Sequence, residues 1–167
     1  REVVCIIIFV LKKIYWIQLF LLLISEIARV KPILDNEKIS ALDKLKYLVE
    51  FEFKSEPMID DINTIVHTKE NPTLITHLLK IKLEIVNPYF IDIIEQGIKE
   101  GIFNCKYKEE ASKITIILST LLFSDTIVQM SSKEFKRMVK VFQITIEALA
   151  GAKPGTFDFM NQLIEIE

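Results

Sequence analysis

Only four glycines interrupt this chain of 167 residues, and three of them stand where helical runs end. Glycine reaches the left-handed backbone conformation that closes helices without steric cost, so its placement reads as punctuation. Between these marks apolar residues recur every three to four positions, and strand-type alternation is scarce. The pattern predicts an all-α fold. Half of the residues are apolar and about a quarter are charged, the balance of a globular domain rather than a disordered segment. The length suffices for one domain with a sizeable core.

Charge and motif content exclude several functions. The formal net charge is −2 and no dense Lys/Arg cluster is present, so the chain carries no basic face of the kind that binds nucleic acid. Cys5 and Cys105 are far apart and follow no metal spacing, which fits inert thiols in a reducing cytoplasm. His67 and His77 have no carboxylate or cysteine neighbours at ligand spacing. No nucleophile–base pair and no glycine-rich phosphate loop stands out. The expectation is a protein that is not an enzyme and uses no cofactor and no metal.

The pass along the chain gives a succession of helices. Lys31-Pro32 reads as a break and Asp35-Asn36 as an N-cap, followed by helical spacing through Ile39, Leu42, Leu45, Leu48 and Val49. Ser55-Glu56-Pro57 restarts a short helix with Met58, Ile62, Ile65 and Val66 on its apolar face. Asn71-Pro72 opens a long apolar helix through Leu74, Leu78, Ile81, Leu83 and Ile85. Pro88 predicts a kink or short break in it, with continuation through Tyr89, Ile93, Ile94 and Ile98 to a C-cap at Gly101. The next helix begins at Lys108 or Glu109. It is apolar over most of its circumference, through Ala111, Ile114, Ile117, Leu118, Leu121 and Leu122, and so is buried on more than one side. Ser131 and Glu134 form a capping box. Phe135, Met138, Val139, Phe142, Ile146 and Leu149 then make a stripe that ends at Gly151. Thr156 is expected to cap a last short helix through Ile164.

The first thirty residues differ from the rest. Val3 to Ile24 is a run of about 22 residues, long enough to span a bilayer. Lys12 and Lys13 near its centre each cost roughly 2.5–3.5 kcal/mol in a membrane, and no cleavage site follows. A membrane anchor over residues 3–24 is therefore the alternative reading rather than the first. The local richness in Ile, Phe, Leu, Tyr, Trp and Cys also fits A/T-rich coding DNA read out of frame. Combining the third base of each codon from Cys5 onward with the first two of the next permits the peptide YHYFRSKEDLLDSAI. The Trp16-Ile17 junction can give only Asp, and Tyr15-Trp16 only Leu.

Gly97-Ile98-Lys99-Glu100-Gly101-Ile102-Phe103 and Gly151-Ala152-Lys153-Pro154-Gly155-Thr156-Phe157 carry a resemblance. Their order among the helices over residues 31–167 is similar to the effector-binding and dimerisation domain of TetR-family transcriptional regulators. The out-of-frame peptide likewise resembles the end of that family's helix-turn-helix, which makes residues 1–30 an atypical apolar helix or a frame-shifted reading of the junction.

The resemblance implies a multi-helix domain in which the last two long helices, residues 109–130 and 132–150, join their copies in a four-helix bundle. The homodimer face would hold Leu118, Leu122, Phe135, Met138, Val139, Phe142, Ile146 and Leu149. It also implies a small, largely apolar effector. By position its lining would be Leu48, Phe51, Met58, Ile62, His77, Leu78, Ile81, Ile85, Tyr89, Ile117, Leu121 and Asp125. Operator DNA would be contacted only through the N-terminal helix-turn-helix, which this chain does not contain, and the protein would be cytoplasmic. Each residue also has a plainer reading. Most apolar positions are core whatever the function. Asp125 is either a surface or dimer-interface hydrogen-bond acceptor or a ligand contact, and His77 either a half-buried polar residue or a pocket donor. The Tyr89 hydroxyl reaches a ligand or its ring merely packs. Asp60-Asp61 reads as a solvated helix start.

Overall fold

A computed structural model describes residues 21, 24–25, 27–54, 72–124 and 127–164. Among them every regular element is helical, as the glycine punctuation predicts. Helix α1 occupies 27–34, α2 Ala41–Lys54, α3 Pro72–Ile81, α4 Asn87–Lys99, α5 Lys108–Leu122 and α6 Ser132–Ala150. A π-helical turn, Lys82–Val86, joins α3 to α4, and a 3₁₀ helix, Asp158–Ile164, closes the chain. The run over 3–24, the short helix expected after Ser55, and Met58, Ile62 and Asp125 lie outside the described residues. Of Phe51 only the backbone is described.

Two prolines behave differently from expectation. Pro32 does not break α1, which continues to residue 34 and ends where the Asp35 N–H donates to the Lys31 carbonyl at 2.9 Å. One proline removes one ladder bond, and here Lys31 adds an ion pair to Asp35 at 2.6 Å and lies 5.7 Å from the Tyr89 ring centroid. Pro88 neither breaks nor ends its helix. The five residues before Asn87 widen into the π turn, the Asn87 N–H donates to the Lys82 carbonyl, and Pro88 falls in the first turn of α4, where its missing N–H is least costly.

The start of α2 is also displaced. Ser40 rather than Asp35-Asn36 caps it, with the Asp43 N–H donating to Ser40 Oγ at 3.1 Å. The Glu100 carboxylate, from the far end of α4, accepts the Ala41 N–H at 3.0 Å. A carboxylate at a helix N-terminus satisfies an orphan donor and the helix dipole together. Gln96 completes the seam, taking a bond from buried Lys44 at 2.7 Å and giving one to the Ile39 carbonyl at 2.8 Å.

The core is built where the two glycine motifs meet. Phe103, Phe142, Val139, Ile93, Ala41, Ala150, Phe157 and Met160 are buried together. Gly97 makes room for Phe103: a Cβ there would lie 3.0 Å from Phe103 Cγ and nearer still to the ring edge. Gly101 takes φ 74°, and the Ile102 and Phe103 N–H groups fold back onto the Gly97 carbonyl. Gly151 takes φ 61° beside the Asn104 carbonyl, and the Asn104 N–H donates to the Ala150 carbonyl at 3.0 Å. Phe103 and Phe157 then meet edge to face with centroids 5.8 Å apart. Thr156 does not cap a helix, because its hydroxyl donates to the Lys153 carbonyl at 2.6 Å and closes the turn.

A buried carboxylate braces this corner. Glu147 Oε1 accepts the Phe157 N–H at 2.9 Å and the Gln143 amide at 3.1 Å, and that amide also reaches Asp158 at 2.8 Å. Burial pushes the Glu147 carboxyl up, but the N–H of Phe157, the Gln143 amide and the N–H of Gly155 outweigh it and hold it below the ordinary value. Asp158 is lowered too, first by Gln143 and then by Lys140. A folded-state pKa below the unfolded one gives stability that is complete above the unfolded value and is lost as pH falls through the folded one. Urea midpoints should therefore fall as pH drops below 4.5, the ordinary value for this carboxyl. Glu147→Gln should flatten that acid limb, and an unchanged limb would remove Glu147 from the account.

Candidate functional site

The long helix pair α3–α4 and the π turn between them lie along α5. Ile75 of α3 is buried there, and Leu78, Ile81 and Leu121 pack against it. Three of the residues expected to line an effector site, Leu78, Ile81 and Leu121, thus come together in one small apolar cluster separate from the main core. His77, Ile85, Tyr89 and Ile117 are half-buried on the same elements. Leu48 is not part of the group. It packs against the main core with Leu45 and Val49, because α2 is held on α4 by the Gln96–Glu100 seam.

The π turn fixes the other end of this region. Asn87 is buried, and its Oδ1 accepts the hydroxyl of buried Ser112 at 2.7 Å. A π turn displaces one backbone carbonyl from the regular ladder and so resets the side-chain direction of everything before it. Ile81 and Leu78 therefore face α5 in a register that an unbroken α-helix from Pro72 would not give.

Spacing by apolar residues alone misses two side chains. Ser112, Ile116, Thr120 and Ser124 follow one another at four-residue intervals along a buried face of α5 and its end. Ser112 is bonded to Asn87, and the more exposed Thr115 and Ser119 turn back to the carbonyls of Ala111 and Ile116. Thr120 Oγ1 and Ser124 Oγ have no hydrogen-bond partner among the described residues, although Thr120 is 7 % and Ser124 2 % exposed. The i, i+4 spacing of Thr120 and Ser124, eight and twelve residues after Ser112, is the sequence signal for them.

The residues expected to pair with a second copy divide between the core and half-buried positions. Val139 and Phe142 are 0 % and 6 % exposed within the core of the single chain. Leu118, Leu122, Phe135 and Ile146 pack against the same core, while Met138 and Leu149 are half-buried. Phe123 locks the helix pair by meeting Phe142 and Phe135 edge to face at 5.2 and 5.7 Å. The exposed apolar residues of α6 lie on its other side: Val141 at 58 %, Ile144 at 56 % and exposed Ala148. Exposed Ile114 of α5 and Ala148 border a groove of about 520 Å3 shared with Cys105, Tyr107 and Leu149. Helix α5 is also shorter than expected, ending at Leu122 rather than near residue 130, and the N–H groups of Ile127 and Val128 turn back onto the Ser124 carbonyl.

Among the described residues no helix is long and apolar enough to cross a membrane, and no group of metal-ligating side chains is assembled. A search among curated proteins finds no match to the chain, and one among solved structures finds none either. The family model described as Tetracyclin repressor-like, C-terminal domain matches residues 54–145, from the end of α2 to within α6. That stretch holds α3, the π turn, α4 and α5 entire and is more than half of the chain. This family's C-terminal domains are regulatory rather than enzymatic, and the chain belongs to the tetracyclin repressor-like family through its C-terminal domain.

Proposed function

We propose that this domain senses a small, largely apolar effector between α3, the π turn and α5, and pairs with a second copy of itself through the outer faces of α5 and α6. The observation that carries the effector reading is the Ile75–Leu78–Ile81–Leu121 cluster, an apolar group set apart from the main core and bounded by a π turn. Large apolar side chains left exposed along one helix face call for a partner, and Val141, Ile144 and Ile114 support the pairing. Operator DNA would be reached through a helix-turn-helix, as the family resemblance implies, since the net charge of −2 gives the chain no overall attraction for nucleic acid. An effector changes the spacing of the DNA-binding heads only if it binds one arrangement more tightly than the other.

The test is ligand-induced stabilisation. Small aromatic and aliphatic molecules at about 100 times their dissociation constant should raise the unfolding free energy by about 2.7 kcal/mol. Leu78→Glu should abolish this response by burying a charge in the site. A Leu78→Glu protein that still responds to the same ligands would place the effector elsewhere.

A further inference from the structure

We propose that Thr120 and Ser124 are specificity-determining residues of the effector site, and that the effector is a small amphipathic molecule, an apolar body bearing a hydroxyl, carbonyl or amide group. This rests on the effector reading above. A buried hydroxyl left without a hydrogen bond is costly, and buried polar groups in folded proteins nearly always find a partner. Serine and threonine within a helix have a ready remedy, since the side chain can turn to the carbonyl one turn back. Thr115 and Ser119 of α5 do so, at 2.8 and 3.1 Å, and Ser112 finds Asn87. Thr120 of α5 does not, and Ser124, two residues past the helix end, has no partner among the described residues either, although both are more than nine-tenths buried.

Their position gives the unmet hydroxyls a purpose. Thr120 precedes Leu121, which packs on Ile75 with Leu78 and Ile81, and Ser124 lies four residues after Thr120. Leu78, Ile81 and Leu121 offer only carbon to a ligand, so a polar group on it would find its hydrogen bonds at Thr120 and Ser124. A hydroxyl both donates and accepts, so the pair suits a neutral oxygen or nitrogen group and supplies no countercharge for an ion. A site built this way discriminates against an analogue that lacks the polar group, because binding that analogue leaves the hydroxyls unmet.

The experiment compares p-cresol with p-xylene, near-isosteric probes that differ by one hydroxyl, by calorimetric titration of the full chain and of its Thr120→Val and Ser124→Ala variants. The p-cresol to p-xylene affinity ratio should fall about 2- to 12-fold in at least one variant, the worth of one neutral hydrogen bond. The ligand-free Tm of Thr120→Val should stay level or rise, since valine removes the unmet hydroxyl at constant shape. If both probes bind and the ratio is the same in all three proteins, the hydroxyls do not read the ligand and this proposal fails while the effector site stands. If neither probe binds the unmodified chain, the effector site fails and the proposal with it.

Discussion

Alanine at Phe142 is expected to lower the stability of the fold by about 3–5 kcal/mol, whereas glutamates at Val141 and Ile144 should leave it folded and abolish the proposed pairing of two copies. The two effects come from opposite faces of one helix. Phe142 is 6 % exposed and meets Phe123 edge to face, so truncation leaves a cavity that the neighbouring rings fill only in part. Val141 and Ile144 are more than half exposed in the protomer, where surface substitutions change stability by about 0.5 kcal/mol or less. In the proposed bundle of two copies the same positions would be apolar contacts, and an unpaired carboxylate buried there costs several kcal/mol. Sedimentation velocity and urea unfolding on both proteins separate the cases. A Phe142→Ala protein of unchanged stability that only dissociates would return Phe142 to the interface. A Val141→Glu/Ile144→Glu protein that stays dimeric at micromolar concentration would remove this face from the pairing.

The second large effect is expected at Gly151. Its φ of 61° is a left-handed conformation that costs an L-residue about 1–2 kcal/mol, and a Cβ would sit 2.7 Å from the Asn104 carbonyl carbon and closer to its oxygen. Backbone cannot step aside as a side chain can, so overpacking adds about 1–3 kcal/mol. Gly151→Ala should thus be among the most damaging single changes in the domain. Gly101 is the control. Its φ of 74° carries the same conformational cost, but nothing lies within 4 Å of a Cβ there, so Gly101→Ala should cost only about 1–2 kcal/mol. Urea denaturation of the two variants gives the comparison directly. Equal losses would mean that the approach of Asn104 contributes nothing.

Much of the helical order was legible before any coordinates. Ser131 and Glu134 make the capping box that their spacing announces, and Gly101 and Gly151 take the positive φ that helix ends require. These are local matters, decided by a few adjacent residues and their backbone groups. The family resemblance rested on turn residues at fixed offsets, of which Gly97–Phe103 lies inside the stretch the family model matches and Gly151–Phe157 beyond it. What Pro88 would do was not legible. A proline admits a kink, a break or a wider turn, and the choice of the π turn at Lys82–Val86 goes with the Asn87–Ser112 bond from a helix 25 residues away.

The residues of the chain therefore determined that it is helical, where α3, α5 and α6 start and α4 and α6 stop, and which family it joins, because capping and periodicity act within one or two turns. Tertiary structure alone decided which apolar face of α6 is core and which is free. Phe135, Val139, Phe142 and Ile146 form one stripe and Val141, Ile144 and Ala148 another, and a periodic pattern cannot rank two apolar faces of one helix. Packing against Phe103, Phe123 and Phe157 ranks them, since only one side of a helix can meet the same core. Tertiary structure likewise decided that Thr120 and Ser124 are buried while Thr115 is less so, a distinction set by what packs over each side of the chain there and not by residue type.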